Sequence, residues 1–324
     1  MNGGEAEVSD YVCAIGMFGA VALGLVAVTG CNAYTAGAPR GEVDVIAHRG
    51  ASSYAPENTL AAFELAIKMK AHWFELDCTL TKDGEVLVIH DDDLKRTTDS
   101  EGMVAQLSLA EARKADAGSW FGEAFASERL PTLGEALDLA KGRIGVYIEI
   151  KDSGNDGALE DRLLALAEGD APLLPRHEAR IFDLIEESGS RNRELTRKAI
   201  AKVRKRNMAP QVVIQSFSPV VCAVAIIEAP EIRTELVAES GDHDPKMWPR
   251  YLRWEKLLGT AGFNVEAGLA TAELVERLHG KGKSVAVWTV NKPEDMARLA
   301  NMGVDAIITN KPDVCLETLA ETER

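Results

Sequence analysis

Paired cysteines and excess positive charge are both missing from this chain of 324 residues. Its cysteines form no Cys-x-x-Cys pair and no Cys/His cluster at zinc-finger spacing, so neither a structural zinc site nor a disulfide framework is predicted. Lys and Arg together number 36 against 51 Asp and Glu, which gives a formal net charge of −15. A field of that sign repels polyanions, and nucleic acid is therefore not expected as a partner.

Charged side chains are absent from Val12 to Gly30, a run of small and apolar residues that ends in Val28-Thr29-Gly30-Cys31. These four residues resemble a bacterial lipobox, in which small residues precede a cysteine that receives lipid. We therefore expect residues 1–31 to be a lipoprotein-type signal or membrane anchor, with Cys31 as the lipidation site. This segment predicts a membrane-anchored lipoprotein on the periplasmic side of a bacterial cell envelope.

Two other interpretations of this segment stay open. The run approaches the roughly 20 residues that a helix needs to span a bilayer, which fits an uncleaved membrane anchor. It also fits a buried helix that contains a cysteine by chance. The residues ahead of the run include three acidic side chains and no Lys or Arg, whereas an export signal normally begins with positive charge.

Short apolar runs alternate with helical patterns after an unpatterned linker at 32–42, and this alternation predicts parallel strands joined by helices. We expect an α/β fold, a single TIM-type (β/α)8 barrel over residues 43–324, with an enlarged surface segment at 152–210. Nine runs compete for eight places in the ring, and Gly262–Val265 is the weakest of them. The runs are Val43–His48, Trp73–Leu76, Glu85–His90, Gly145–Ile150, Val212–Gln215, Glu235–Ala238, Gly262–Val265, Ser284–Val290 and Ala306–Thr309.

Polar residues recur at the carboxyl ends of these runs, where the mouth of a barrel carries its catalytic groups. Glu75 and Asp77 are two apart on an extended segment and share one face, and Glu149 ends another strand. Three carboxylates of this kind suit one hard divalent cation, Ca²⁺ or Mg²⁺. The alternative is a solvated acidic strand face, which is less favourable inside an apolar run because burying an unpaired charge is costly.

Two histidines and two cations complete the set of strand-end residues. His48 and His90 each close a strand run and can pass protons near neutral pH, one as base and the other as acid. Arg49 and Lys151 supply the positive charge that a phosphate requires. A histidine with only a hydrogen-bonding role, and salt bridges to neighbouring carboxylates, are the structural alternatives.

These residues stand in an ordered series of motifs that resembles the glycerophosphodiester phosphodiesterase family. The resemblance covers Val43 to about Pro312, and residues 263–267 are where it departs from a polar cluster that many relatives share. The matching segments are His48-Arg49-Gly50, Pro56-Glu57-Asn58-Thr59, Glu75-Leu76-Asp77, His90-Asp91, Glu149-Ile150-Lys151, Gln215-Ser216-Phe217, Trp288-Thr289-Val290-Asn291 and Gly303-Val304-Asp305.

The resemblance implies metal-dependent hydrolysis of glycerophosphodiesters to glycerol 3-phosphate and an alcohol. It assigns metal binding to Glu75, Asp77 and Glu149, acid–base work to His48 and His90, and phosphate contact to Arg49 and Lys151. It also places Trp288, Asn58 and Gln215 near the substrate, although a strand-end tryptophan is as often part of the core. In that family the glycerol hydroxyl of the substrate is thought to attack phosphorus, so no serine or cysteine nucleophile is needed.

Two rival functions remain at this point. A lysophospholipase D or sphingomyelinase-like phosphodiesterase uses a similar barrel and metal cage but needs an apolar groove for an acyl chain. A lipoprotein that binds phosphate esters without catalysis would tolerate loss of the histidines or the carboxylates, and here all of them are present. The preferred alcohol and the oligomeric state are left open.

Overall fold

The structure is a computed structural model that describes residues 42–151, 156–167, 169, 171–241 and 246–322. The predicted signal or anchor segment, the candidate lipidation residue Cys31 and nearly all of the predicted linker lie outside this range. Among the residues that are described, no helix is both long enough and apolar enough to cross a membrane.

Eight parallel strands close into a barrel within the described residues, which confirms the predicted TIM-type architecture. The first strand pairs with both the second and the last, so the ring has no open edge. The ring strands are β1 (Asp44–Ala47), β2 (Trp73–Leu80), β4 (Gly145–Ile150), β5 (Val212–Ser216), β6 (Arg233–Ala238), β7 (Gly262–Glu266), β8 (Ser284–Trp288) and β9 (Ala306–Thr309).

One more strand, β3 (Val86–Val88), lies outside the ring. It pairs antiparallel with the end of β2, after a turn in which Gly84 has a φ of +75°. The expectation that Gly262–Val265 was the weakest ring candidate was wrong. That run is β7 and pairs on both sides with ring strands, because its asparagine faces polar partners inside the barrel.

Helices follow the strands and cover the outside of the barrel. Several begin at side-chain caps: the Thr59 side chain accepts the Ala62 N–H at the start of the helix Leu60–Lys68, and Thr132 with Glu135 forms a capping box on the helix Leu133–Ala140. The helices are α1 (Leu60–Lys68), α2 (Leu109–Ala112), α3 (Leu133–Ala140), α4 (Gly157–Leu164), α5 (Glu178–Ser188), α6 (Arg191–Lys205), α7 (Pro219–Glu228), α8 (Met247–Leu258), α9 (Ala272–His279), α10 (Pro293–Met302) and α11 (Pro312–Thr322).

The long connection between β4 and β5 contains three of these helices. Leu159 and Leu163 of α4 and Ile181 and Leu184 of α5 are buried in the same apolar cluster as Val220 of α7. The described part of this connection therefore shares the core of the barrel. α6 packs beside α7 as the barrel helix of this unit.

Alternation along the strands decides which side chains enter the barrel. Ile46, Tyr147, Val213, Ala286 and Ile308 fill the interior as one apolar cluster. Residues two positions further along the chain therefore also face the mouth at the carboxyl ends, and all of them except Trp288 are polar: His48, Glu149, Gln215 and Asn310. This geometry gathers side chains from strands far apart in sequence at one mouth.

Candidate active site

Three carboxylates meet at the carboxyl ends of β2 and β4. Glu75 and Asp77 are two apart on β2, so both face the interior, and Glu149 is the register partner of Asp77 on β4. All three are buried, and one oxygen from each lies within 4.8 Å of the others. The structure thus brings together the three residues that the sequence predicts as a metal cage.

The chemistry of this cluster fits a hard divalent cation. Glu75 Oε1 is buried and has no hydrogen-bond partner in the described part of the chain. Burial, Asp77 and Glu149 together raise the pKa of Glu75 well above its usual range, and burial also raises the pKa of Glu149 despite the opposing effect of Lys151. A cation held by these oxygens would relieve the repulsion, and oxygen ligands are those that Ca²⁺ and Mg²⁺ prefer.

Arg49 contacts the cluster through its backbone and its side chain. Its φ of +56° is uncommon for a residue other than glycine and is a kind of strain that concentrates at functional sites. In this conformation the Arg49 N–H donates to Glu75 Oε2 at 2.8 Å, and Nε lies 3.1 Å from Asp77 Oδ2. Gly50 follows with a φ of +80°, and a Cβ there would lie 2.6 Å from the carbonyl carbon of Ala62, so only glycine fits.

Lys151 supplies the second positive charge. Its Nζ lies 2.9 Å from Glu149 Oε1 and 3.7 Å from Asp77 Oδ1. Burial opposes the charge on Lys151, but Glu149 and Asp77 outweigh it and raise the pKa of the ammonium to about 12. Burial likewise opposes the charge on Asp77, but Arg49 and Lys151 lower its pKa to about 2. The two predicted phosphate-binding residues are therefore both charged beside the carboxylates.

His48 is held by the amide of Asn310, which is 262 positions away in sequence but follows β9, the strand beside β1. Its Nδ1 donates to Asn310 Oδ1 at 2.7 Å, which leaves Nε2 without the ring proton. Burial, reinforced by Arg49, lowers the pKa of His48 from 6.5 to about 4, although Asp77 acts in the opposite direction. This histidine is neutral at physiological pH and can accept a proton.

His90 reaches the same mouth through the β2–β3 hairpin. β2 continues past the metal cage, and β3 brings the chain back so that the Ile89 N–H donates to the Asp77 carbonyl oxygen at 3.0 Å. His90 Nδ1 then donates to Asp91 Oδ1 at 2.6 Å. A hydrogen bond from Arg96, together with His90 and against a smaller effect of burial, lowers the pKa of Asp91 to about 2. The Asp91 carboxylate stays ionised and orients the ring.

Two predicted substrate contacts, Asn58 and Gln215, lie behind the carboxylates. Asn58 Nδ2 donates to Asp77 Oδ2 at 2.9 Å, and Asn58 Oδ1 accepts the Asp77 N–H at 3.2 Å. Gln215 Nε2 donates to Glu149 Oε2 at 3.3 Å, and Gln215 Oε1 accepts from Asn264 Nδ2 at 2.8 Å. Both amides therefore orient the carboxylates of the cluster, and their direct contact with a substrate stays a prediction.

Trp288 forms part of an aromatic wall on the opposite side of the mouth. Its ring stands edge-on to Phe217 with centroids 5.6 Å apart, and Phe217 in turn contacts Tyr251. Trp288 Nε1 donates to the carbonyl oxygen of Asn264 at 3.3 Å. The side chain is only partly buried, so it is available as an apolar surface for the carbon atoms of a ligand.

Several site residues have no role in the sequence-based prediction. Glu57 and Asp91 stand inside the quoted motifs, and an acidic residue next to a histidine is a signal that could have identified Asp91. Asn310 offered no such signal, because His48 is 262 positions away, and the link that Arg96 makes to Glu57 spans 39 positions.

Comparison with known proteins agrees with this geometry. The model of the glycerophosphoryl diester phosphodiesterase family matches residues 48–171 and 180–314. The chain belongs to this family. The match includes all ten residues predicted at the mouth and stops short of the amino-terminal segment.

Relatives in the family cover most of the chain. A glycerophosphodiester phosphodiesterase of Caldanaerobacter subterraneus is 36% identical over 274 residues, which are 84% of this chain and 96% of the relative. One of Bacillus subtilis is 31% identical over 288 residues, 83% of this chain and 84% of the relative. A phosphodiesterase of Oleispira antarctica, solved with its product sn-glycerol-3-phosphate, superposes with a TM-score of 0.67 at 26% identity and covers 86% of this chain and 97% of its own.

Proposed function

We propose that this enzyme hydrolyses glycerophosphodiesters to glycerol 3-phosphate and an alcohol, with one divalent cation and with His48 and His90 moving the protons. The observation that carries the proposal is the mouth itself, where two differently held histidines and two cations surround three buried carboxylates. The product bound to the Oleispira relative is of the same chemical class.

Binding of the diester begins with its phosphate. Arg49 and Lys151 are the cations beside the carboxylate cluster, and in this acidic chain they offset the field that would otherwise repel an anion. An arginine can bind two phosphate oxygens at once, whereas a lysine acts as a point charge. The aromatic wall at Trp288 would lie along the carbon atoms of the glycerol.

The cation would be held by Glu75, Asp77 and Glu149. When bound, it supplies positive charge that polarises the phosphoryl oxygens and lowers the barrier to displacement at phosphorus. Both Ca²⁺ and Mg²⁺ fit an oxygen cage, and the choice between them depends on the number of ligands and on the rigidity of the site.

The two histidines differ in their partners, and this difference suggests their roles. His48 is neutral and its Nε2 is free to take the proton of the attacking hydroxyl, so we assign it as the base. His90 has an ionised carboxylate at its Nδ1, an arrangement that can hold a protonated imidazole, so we assign it as the acid.

With these roles, both histidines return to their starting protonation states after the two steps of the reaction. The glycerol hydroxyl of the substrate attacks phosphorus while its proton passes to His48 Nε2, and the bond from phosphorus to the alcohol breaks as His90 gives that oxygen a proton. The cyclic phosphate that results is opened by water. In that second step His90 removes the proton from water and His48 returns its proton to the glycerol oxygen.

The first experiment measures glycerol 3-phosphate release from glycerophosphocholine by the full chain, after chelation and after resupply of Ca²⁺ or Mg²⁺. His48→Ala and His90→Ala are tested beside His177→Ala, whose ring lies on the enlarged segment. We expect activity that returns with a cation and that only the first two variants abolish. Turnover of lysophosphatidylcholine in place of glycerophosphocholine would contradict the proposed substrate class.

We also propose that the protein is anchored at the periplasmic face of a bacterial membrane through Cys31. The uncharged run from Val12 to Gly30 and the lipobox-like sequence before this cysteine support the proposal. Incorporation of labelled palmitate into the full chain, lost in a Cys31→Ser variant, is the expected result. Membrane association without label would favour the uncleaved helix, and absence from the membrane fraction would contradict both forms of anchoring.

A further inference from the structure

One guanidinium joins the two loops that carry the proposed acid and the phosphate-binding arginine. Arg96 donates from Nη1 to Glu57 Oε2 and from Nη2 to Glu57 Oε1, both at 2.8 Å. The same side chain donates from Nε to Asp91 Oδ2 at 2.6 Å and from Nη2 to Asp91 Oδ1 at 3.0 Å. Arg96 therefore makes four hydrogen bonds to two carboxylates that follow different strands.

Each of those carboxylates has its other contact with a residue of the proposed mechanism. Glu57 Oε1 also accepts from Arg49 Nη1 at 2.8 Å, and Asp91 Oδ1 is the partner of His90 Nδ1 at 2.6 Å. A continuous chain of charged hydrogen bonds thus runs from Arg49 through Glu57, Arg96 and Asp91 to His90. It links the group that binds phosphate to the group that protonates the departing alcohol.

The shape of this contact requires arginine. A guanidinium presents five donors in one rigid plane and can bind two carboxylates along two of its edges, whereas an ammonium offers one rotating point of charge. Arg96 is also 45% exposed, and ion pairs of that exposure contribute little to folding stability. The contribution of Arg96 is therefore to fix the positions of its two partners, since the acid must stand at a fixed distance from the bound phosphate.

We propose that Arg96 is a positioning residue that holds the Asp91–His90 pair at a fixed distance from Arg49, so that His90 delivers its proton to the alcohol that leaves the phosphate bound by Arg49. The inference rests on the proposed function and extends it to a residue that touches neither substrate nor cation. Arg96 acts only through Glu57 and Asp91.

The test compares Arg96→Lys and Arg96→Ala with a matched control, Arg143→Lys. Arg143 makes the same kind of two-pronged contact, with Glu64 at 2.9 and 3.0 Å, at 41% exposure, but it lies in the turn before β4 and away from the mouth. The rate of alcohol release in a single turnover of the full, metal-loaded enzyme, which reports the first step before water opens the cyclic phosphate, is measured with two substrates. Glycerophosphocholine has a leaving alcohol that needs a proton, and glycerophospho-p-nitrophenol has one that leaves readily without it.

With glycerophosphocholine we expect the maximal single-turnover rate of alcohol release to fall about 10- to 100-fold in both Arg96 variants, while the substrate concentration that gives half of this rate changes less than about 3-fold. With the nitrophenyl ester the loss should shrink to less than about 3-fold, because a misplaced acid matters little there. Arg143→Lys should match the wild type with both substrates. A purely structural role of Arg96 would reduce activity on the two substrates equally.

Three results would overturn the inference: a wild-type rate of alcohol release in Arg96→Lys, equal losses in that rate on the two substrates, or the same loss in Arg143→Lys. Failure of the wild-type enzyme to release glycerol 3-phosphate from any glycerophosphodiester is a different outcome. It would refute the proposed function itself, and the inference with it.

Discussion

Replacing Glu75 by glutamine should stabilise the metal-free enzyme while it abolishes the response to metal. Glu75 is buried with one oxygen that has no hydrogen-bond partner among the described residues, and its pKa is raised by burial and by Asp77 and Glu149. Glutamine has the same shape. Its carbonyl can keep the bond from the Arg49 N–H, and its amide can donate toward the neighbouring carboxylates.

The size of the effect follows from the lost repulsion. A buried polar group without a partner costs about 1–3 kcal/mol, more when it is charged. Because the folded pKa of Glu75 lies above its unfolded value, its contribution to stability is present at acid pH and is lost as pH rises through the folded pKa. At pH 7 the variant should therefore gain about 1–3 kcal/mol without metal, which is about 2–4 °C in Tm for each kcal/mol in a domain of this class.

Thermal unfolding at pH 7, with chelator and with saturating Ca²⁺ or Mg²⁺, measures both parts of the prediction. A cation at about 100 times its Kd stabilises the native wild-type enzyme by about 2.7 kcal/mol, and Glu75→Gln should lose most of that rise together with activity. Glu235→Gln is the control, a second fully buried carboxylate, paired with Arg233. It should lower Tm without metal and keep the rise that metal produces.

Two results would refute this reasoning. A lower Tm of the metal-free Glu75→Gln variant at pH 7 would show that the carboxylate is satisfied in the absence of a cation. A metal-induced rise in Tm equal to that of the wild type would show that the cation binds elsewhere. The pH dependence gives a further check, because the advantage of the variant over the wild type should disappear below about pH 4, where an unperturbed glutamate is protonated.

Two further predictions concern the charged groups of the mouth. The substitution Asn310→Asp places a carboxylate beside the His48 ring and should raise the pKa of His48, so the acid limb of the pH profile of kcat/KM moves to higher pH by about one unit. An unchanged acid limb, or the same shift in the exposed control Asn301→Asp, would contradict the assignment of His48 as base. Lys151→Gln should lower kcat/KM about 100-fold through loss of a phosphate contact, whereas the exposed control Lys141→Gln should have no effect; wild-type kinetics in Lys151→Gln would remove this residue from the mechanism.

The strand pattern predicted the barrel but not the role of every run. The apolar residues of Glu85–His90 look like a ring strand, yet only four residues separate this run from the end of β2 at Leu80. A parallel crossover needs a dozen residues or more, so the spacing, with Asp83-Gly84 between the strands, was a usable signal for a hairpin. Gly262–Glu266 looks weak because asparagine and glycine interrupt it, and pairing on both sides outweighs that composition.

The site could be predicted where neighbouring residues or strand ends carry it. The two-residue spacing of Glu75 and Asp77 puts both on one face whatever the rest of the chain does. The residues that orient the site are different: Asn310 holds His48 and Arg96 holds Asp91 through loops whose paths depend on packing. A polar side chain in a loop has many possible partners, and nothing local selects one of them.

The sequence by itself determined the fold class and the chemical groups at the mouth, because these depend on alternation along strands and on residue types at strand ends. Its ordered motifs indicated the reaction class through their resemblance to a known family. Only the tertiary structure decided that Asn310 holds His48 and that Arg96 connects the two catalytic loops. Those features arise when the ring closes and brings β1 beside both β9 and β2, so they depend on distances in space that no local spacing encodes.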